Sequence, residues 1–166
     1  KTAIAYRYQN GRLTSIFERD YTEIAIADLD SNGTTDLCLL TPQAQSTLLF
    51  LACSTDSGFE TVDSLTLPHG IVSFDSILAG RTANGQTALF LDSTVDLYDT
   101  SFQITDVVSA RQREDGSPAL VNLLDNENLS LSKLTLRPMQ NLFCRDIDND
   151  SIIEIPTAST LPGYED

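Results

Sequence analysis

The sequence predicts an all-β fold built of antiparallel hairpins. Short apolar or alternating runs of strand length recur along the chain, for example at residues 47–51 and 59–67. No segment keeps helical periodicity over three turns. Turn-forming dipeptides separate the apolar runs, and they are Asn10-Gly11, Asn32-Gly33, Ser57-Gly58, Asn84-Gly85 and Asp115-Gly116.

Four segments share a common frame, and we call them copies one to four. They cover residues 27–37, 79–89, 110–120 and 145–155. The first three begin with alanine, end with leucine and carry Asn-Gly or Asp-Gly between, while copy four fits more loosely. Each copy predicts a strand, a tight loop and a second strand. Internal repetition of this kind favours a repeat architecture.

The spacing of the copies leaves room for one further hairpin in each repeat. Two hairpins make a four-stranded antiparallel sheet, and serial sheets of this kind are the blades of a β-propeller. We therefore expect a β-propeller or part of one, formed by residues 1–166 as a single repeat domain of a longer chain. The alternative is a β-sandwich whose hairpins merely share their turn residues.

The charge balance restricts the partners of this domain. Acidic residues number 24 and basic residues 10, which gives a formal net charge of −14. Nucleic acids and anionic membrane surfaces attract clustered Lys and Arg, so neither is an expected partner. No apolar run approaches the roughly 20 residues that span a bilayer, so we expect no membrane insertion of this segment.

Copies one and four carry acidic side chains at alternate loop positions. Oxygen ligands at positions 1, 3 and 5, a main-chain carbonyl at position 7 and an acid at position 9 suit Ca²⁺. Hard oxygen donors favour this ion over zinc or copper. The candidate ligands are Asp28, Asp30, Asn32, Thr34 and Asp36 in copy one, and Asp146, Asp148, Asp150, Ile152 and Glu154 in copy four.

An EF-hand does not explain these loops. Its twelfth loop position is an acid, but here that position holds Leu39 or Thr157, and the segments on either side of the loop have strand rather than helix patterns. The pattern of strand, Asp-x-Asp-x-(Asn/Asp)-Gly-x-x-Asp-Leu and strand resembles the calcium loop of FG-GAP/VCBS repeat proteins, which include integrin α-subunit propellers. This resemblance implies a β-propeller, Ca²⁺ in each intact loop, Thr34 and Ile152 binding through main-chain oxygen, and an extracellular location.

The chain departs from the family pattern at several positions. The Phe-Gly…Gly-Ala-Pro stretch is missing, Ser151 replaces the turn glycine of copy four, and Glu154 replaces an aspartate. Copies two and three have lost nearly all the acids, so we expect their turns to hold no metal. Arg113 occupies the third ligand position of copy three, where it would place its own charge.

Catalytic constellations are missing from the sequence. The one histidine, His69, lies between Pro68 and Gly70, which predicts a surface turn rather than a catalytic base. There is no nucleophile elbow and no glycine-rich phosphate loop. We expect the three cysteines, Cys38, Cys53 and Cys144, to be buried as small hydrophobic residues.

These features predict a non-enzymatic, calcium-binding module that is extracellular or attached to the cell surface, with a lipid anchor on a removed N-terminus as one route. Its partner would be a protein or a glycan. The alternatives are an accessory domain of a secreted carbohydrate-active enzyme and a purely structural spacer.

The two ends of the chain bear on ring closure. Residues 2–20 predict a hairpin turning at Asn10-Gly11, which could complete a blade with residues 141–157. Such a composite blade would close a small ring of four blades. The uneven spacing of the copies favours the other outcome, in which the ends lie apart and further blades belong to a longer protein.

Overall fold

A computed structural model describes residues 1–97, 99–124, 136–138 and 142–156, and these residues form strands and no helix. None of them belongs to a helix long and apolar enough to cross a membrane. The strands are β1 (Thr2–Gln9), β2 (Arg12–Asp20), β3 (Glu23–Ala27), β4 (Asp36–Pro42), β5 (Thr47–Ser54), β6 (Phe59–Leu67), β7 (Ile71–Arg81), β8 (Thr87–Leu97), β9 (Thr100–Gln112), β10 (Pro118–Asn122) and β11 (Leu136–Pro138).

The strands form three antiparallel sheets. β1 and β2 pair only with each other, and we call them the N-terminal hairpin. The first sheet has the order β3-β4-β5-β6, and the second has the order β10-β9-β8-β7, with β11 also pairing with β9. The prediction of an all-β fold of antiparallel hairpins is therefore confirmed. The described sheets do not close into a ring.

The assignment of one repeat unit to each copy is wrong for copies two and three. Copy two forms the turn between β7 and β8, and copy three forms the turn between β9 and β10 of the same sheet. The 31 residues that separate these copies hold two strands rather than four because β8 and β9 are long, with 11 and 13 residues. Copy one lies between β3 and β4, so copies one and two occupy corresponding positions in successive sheets.

The two larger sheets pack face to face over an apolar core. Alternate side chains of a strand point to opposite faces, so Leu49 and Leu51 of β5 enter this core while Phe50 points away from it. Leu89, Leu91 and other residues of the second sheet meet them from the opposite side. All three cysteines are buried, as the sequence predicts.

The sheets stack in the same strand order. β3 contacts β7 and β6 contacts β10, so the chain leaves the β6 edge and crosses to the opposite edge before it begins β7. Only residues 68–70 make this crossing. His69 lies among them and is 4% exposed, so the prediction of a surface turn is wrong.

His69 holds the crossing between the sheets. Its Nε2 lies 2.8 Å from Oδ2 of buried Asp106 on β9, and Asn122 on β10 donates to the other oxygen of Asp106. The main-chain oxygen of His69 accepts the hydroxyl of Thr47. The ring is enclosed because the short crossing runs between the sheets, and the sequence did not show this route.

The outer faces of both sheets are also covered. The N-terminal hairpin packs on the first sheet, where the Arg19 guanidinium lies 3.7 Å from the centre of the Phe50 ring and Phe17 meets Phe59 edge to face. Copy four packs on the second sheet, where Ile153 joins the cluster of Phe90 and other side chains. Its backbone joins the edge of β7, since Ile153 N–H donates to the Arg81 carbonyl.

The described residues thus form a stack of four layers: the N-terminal hairpin, the first sheet, the second sheet and copy four. The hairpin turns at Asn10-Gly11 as predicted, with both residues at positive φ. In the described part of the chain, residues 2–20 and 142–156 lie at opposite ends of the stack and share no sheet. The composite blade is therefore not formed there.

Candidate metal centres

The copy-one loop is organised by carboxylates that accept backbone hydrogen bonds. Asp28 accepts the N–H groups of Asn32 at 2.9 Å and Gly33 at 3.0 Å. Asp30 also accepts the N–H of Asn32, at 3.1 Å. The Asn32 side-chain oxygen in turn accepts the N–H of Thr34 at 2.7 Å. These bonds fold the loop tightly and turn successive oxygen-bearing side chains toward its interior.

Asp36 lies at the inner end of this loop, where β4 begins. Its Oδ2 accepts the N–H groups of Leu29 at 2.9 Å and Asp30 at 3.4 Å. Its Oδ1 is buried and accepts no N–H or O–H hydrogen bond. Burial raises the pKa of Asp36, although hydrogen bonds from the Cys53 thiol and from these two N–H groups lower it in part. A buried carboxylate oxygen with no donor stronger than a thiol is costly, and coordination of a cation would satisfy it.

Copy four repeats this hydrogen-bonding frame. Asp146 accepts the N–H groups of Asp150 at 3.1 Å and Ser151 at 2.9 Å, as Asp28 does for the corresponding residues of copy one. Asp148 accepts the N–H of Asp150 at 3.2 Å. Glu154 takes the place of Asp36 and accepts the N–H of Ile147 at 2.7 Å. The extra methylene of Glu154 therefore does not break the frame.

The backbone of the two loops also matches. Ser31 and Gly33 have φ of 60° and 85°, and the corresponding Asn149 and Ser151 have φ of 63° and 72°. Ser151 thus adopts the left-handed conformation that the missing glycine would favour. Ile152 N–H donates to the Asp150 side chain at 2.8 Å, as Thr34 N–H does to Asn32. The sequence-based alignment of copy four with copy one therefore holds in three dimensions.

The donor atoms that converge differ between the loops. In copy four the carboxylates of Asp146, Asp148 and Asp150 lie within 4.8 Å of one another. In copy one the converging groups are Asp30, Asp36 and Cys53. Of the predicted ligands, the remaining side chains, Asp28, Asn32 and Glu154, accept the backbone hydrogen bonds described above, and Thr34 and Ile152 are tied into the loops through their N–H groups.

Sequence reasoning missed Cys53 as a member of this site. Leu37 pairs with Ala52 between β4 and β5, so the next pair in the same register would be Asp36 and Cys53. Only the strand register reveals this neighbour, since the two residues are far apart in sequence. Burial and the adjacent Asp36 raise the pKa of the Cys53 thiol far above its usual value, and burial raises that of Cys38 to about 12.

Copies two and three are closed by their backbones instead. Thr82 N–H donates to the Gln86 carbonyl at 3.0 Å, and Arg113 N–H donates to the Ser117 carbonyl at 2.8 Å. Gly85 and Gly116 are left-handed in both turns. In both turns, backbone hydrogen bonds join the two ends of the loop. The expectation that these turns hold no metal stays a prediction.

The Arg113 side chain reaches beyond its own turn. Its guanidinium donates to the Pro118 carbonyl at 2.9 Å and to Asp63 of β6 at 2.6 Å. Asp63 also accepts the N–H of Leu120 on β10, at 2.7 Å. Arg113, at the third ligand position of copy three, therefore connects this turn to the first sheet through Asp63.

Comparisons of the chain with protein-family models, with characterised proteins and with solved structures gave no match.

Proposed function

We propose that this chain is a non-enzymatic, calcium-binding module of the FG-GAP/VCBS propeller kind, in which copies one and four each take up one Ca²⁺. The observation that carries the proposal is the shared frame of the two loops. Both close on the same set of backbone-to-carboxylate hydrogen bonds and on left-handed residues at the same two positions. Turn chemistry alone does not require two distant loops to agree in so many bonds.

The chemistry of the donors supports Ca²⁺ as the ion. Three carboxylates converge in copy four, and the buried Oδ1 of Asp36 accepts no N–H or O–H hydrogen bond in copy one. Calcium accepts six to eight oxygen ligands in flexible geometry, so side chains, main-chain carbonyls and water can complete the shell. Bringing together carboxylates of one sign also costs electrostatic energy that a bound cation would offset.

The stacking order supports the propeller rather than the sandwich. The first strands of the two sheets, β3 and β7, are in contact, and so are the last strands, β6 and β10, as in successive blades of a propeller. Residues 68–70 carry the chain from the last strand of one sheet to the first strand of the next. The N-terminal hairpin and copy four would then belong to the layers on either side. The proposed location is extracellular or at the cell surface, where modules with weak calcium sites, of Kd about 10⁻⁴–10⁻³ M, are occupied.

A binding role for the exposed surface follows from this assignment. Extracellular propellers present their loops and blade edges to other molecules, and a protein or a glycan is the proposed partner. Calcium would fix the loop conformations, so partner binding would require the ion. A structural spacer would bind the same calcium and no partner.

Calorimetric titration with Ca²⁺ tests the proposal. The wild-type chain is expected to take up two ions, and the Asp28→Asn/Asp30→Asn double variant one. In the calcium-bound structure, Asp28 and Asp30 oxygens should lie about 2.3–2.6 Å from the ion. The matched control is Asp115→Asn in copy three, which should leave the stoichiometry at two. No uptake by the wild type, or full uptake by the double variant, would refute the proposal.

A further inference from the structure

The inner end of the copy-one loop offers a thiol together with carboxylates. Ligand atoms of Asp30, Asp36 and Cys53 lie within 4.8 Å of one another. Asp36 and Cys53 are buried, and Asp30 is half-buried on the solvent side of the group. The three donors come from the loop, from the start of β4 and from the end of β5, so the first sheet fixes two of them.

Asp36 indicates independently that this group is suited to a ligand. The residue is 0% exposed, and its Oδ1 accepts no N–H or O–H hydrogen bond although Oδ2 accepts two. The one further donor beside this carboxylate among the described residues is the Cys53 thiol, which is a weak donor. A coordinated cation would give the oxygen a stronger partner than this thiol.

The thiol changes which cations this group can hold. Calcium binds oxygen donors, whereas zinc binds cysteine sulfur at about 2.3 Å and carboxylate oxygen at about 2.0–2.2 Å in tetrahedral sites. Cadmium shares the preference for sulfur. We infer that the copy-one loop is also a site for a thiol-binding divalent cation, Zn²⁺ or Cd²⁺, held by Cys53 Sγ and one oxygen each of Asp36 and Asp30, with water as the fourth ligand.

Binding at this site involves proton release and no redox change. The S–H bond of Cys53 breaks, the metal–sulfur bond forms, and the proton passes to solvent. The donors are separated by up to 4.8 Å, so they must approach one another by about 1 Å to fit a tetrahedral zinc shell. Asp30 lies on the solvent side of the group, so it can make most of this movement.

The two acidic loops then differ in selectivity although they share a backbone frame. The carboxylate cluster of copy four contains no thiol among the described residues, so it provides oxygen donors alone. In copy one, a zinc or cadmium ion would compete with calcium because both use Asp30 and Asp36. The inference goes beyond the proposed function, and it does not require that calcium binds.

Cadmium titration followed by ultraviolet absorption tests the inference. A thiolate-to-cadmium charge-transfer band is expected to grow and saturate at one equivalent in the wild type, and to be lost in Cys53→Ser. Cys144→Ser removes another buried thiol and should keep the band. Far-ultraviolet circular dichroism and thermal melting establish that each variant is folded. No band in the wild type, or an intact band in Cys53→Ser, overturns the site.

A second variant keeps the test decisive if Cys53→Ser does not fold. Asp30→Asn leaves the thiol in place and is expected to weaken cadmium binding by about tenfold or more. Asp115→Asn, in the turn of copy three, should leave the affinity unchanged. Equal cadmium affinity in Asp30→Asn and the wild type overturns the three-donor site.

Calcium calorimetry on the same proteins separates this inference from the proposed function. Calcium uptake by copy one without a cadmium band would overturn only the thiol-binding site. A cadmium band without calcium uptake would overturn only the calcium proposal.

Discussion

At the scale of single residues, the loops depend on a few left-handed positions. Gly33 in copy one and Ser151 in copy four occupy the same place in the loop at φ of 85° and 72°. Glycine adopts this conformation freely, whereas an L-residue pays about 1–2 kcal/mol for it. Both positions are exposed, so backbone conformation rather than packing should decide which residue is favoured.

Replacing Ser151 with glycine should stabilise the chain. The relief of backbone strain exceeds the added flexibility of the unfolded chain, so the free energy of unfolding in EDTA should rise by about 0.5–1 kcal/mol. Urea denaturation measures the change.

Gly33→Ser is the matched control for that substitution. A Cβ at Gly33 would meet no atom within 4 Å, so strain alone should lower the free energy of unfolding, by about 1 kcal/mol. Changes of the same sign in both variants would contradict the argument.

At the scale of strands and loops, polar contacts and close packing connect the layers. Asp63 of β6 reaches across to Leu120 on β10 and to Arg113 in copy three. On the other face of the second sheet, Gly80 of β7 lies against the Ile153 side chain of copy four. Each contact can be tested by one substitution that acts on it.

Asp63→Asn should lower stability at neutral pH and have less effect in acid. Burial raises the pKa of Asp63, but the Leu120 N–H and the Arg113 guanidinium lower it by more. The pKa of Asp63 therefore lies below the ordinary value of an aspartate. The stabilisation is therefore present above the unfolded pKa, about 3.9, and is lost as pH falls through the lower folded value.

We expect a loss of about 1 kcal/mol at pH 7, since the asparagine can still accept a hydrogen bond and Arg113 is partly exposed. Urea denaturation curves recorded at intervals of about half a pH unit, between about pH 2.5 and 7, would measure the difference in the free energy of unfolding between the variant and the wild type. Glu60→Gln, an exposed acid on the same strand, is the control and should change stability little. If the loss of stability in Asp63→Asn were larger in acid than at neutral pH, the prediction would be contradicted.

Gly80→Ala should disturb the contact between β7 and copy four. The added methyl group would overlap Ile153, at an expected cost of about 1–3 kcal/mol. Shortening the partner in a Gly80→Ala/Ile153→Ala double variant should recover part of that loss. A thermodynamic cycle of the four proteins measures the coupling, and purely additive effects would show that Ile153 is not the obstacle.

The sequence predicted the local structure better than the contacts between elements. Turn dipeptides and alternating apolar residues located the hairpins, and the spacing of acids located two loops with a common frame. Strand register and sheet order are long-range properties, so the pairing that brings Cys53 to Asp36 was not visible. Copies two and three share a turn chemistry that suits any hairpin, so their likeness did not reveal that they lie in one sheet.

His69 shows how a local pattern can mislead. Its neighbours Pro68 and Gly70 are typical of an exposed turn, and the backbone there does change direction. The turn is buried only because the chain must cross between two sheets at this point. A buried partner 37 residues away, Asp106, pairs with the Nε2 of the ring, and no local signal identifies it.

At the scale of the whole molecule, calcium should stabilise the folded chain. An ion that binds the folded state stabilises it by about 2.7 kcal/mol at a concentration one hundred times its Kd. Thermal melts in calcium and in EDTA should therefore differ, with a smaller difference in Asp28→Asn/Asp30→Asn, where one loop remains. Identical melting temperatures for the wild type in both conditions would argue against binding to the folded chain.

The three-residue crossing between β6 and β7 has a consequence for how such a chain can lengthen. The first strands of the two sheets, β3 and β7, lie at corresponding edges, and the crossing brings the chain from the last strand of one sheet to the first strand of the next. A stretch of gene that encodes one sheet could therefore be duplicated as a unit. A duplicated copy inserted at residues 68–70 would meet the same surroundings at both of its joints. Copies one, two and four lie in successive layers, so the loss of the acids from copy two alone is then the expected outcome of descent, in which the side chains of each copy change independently.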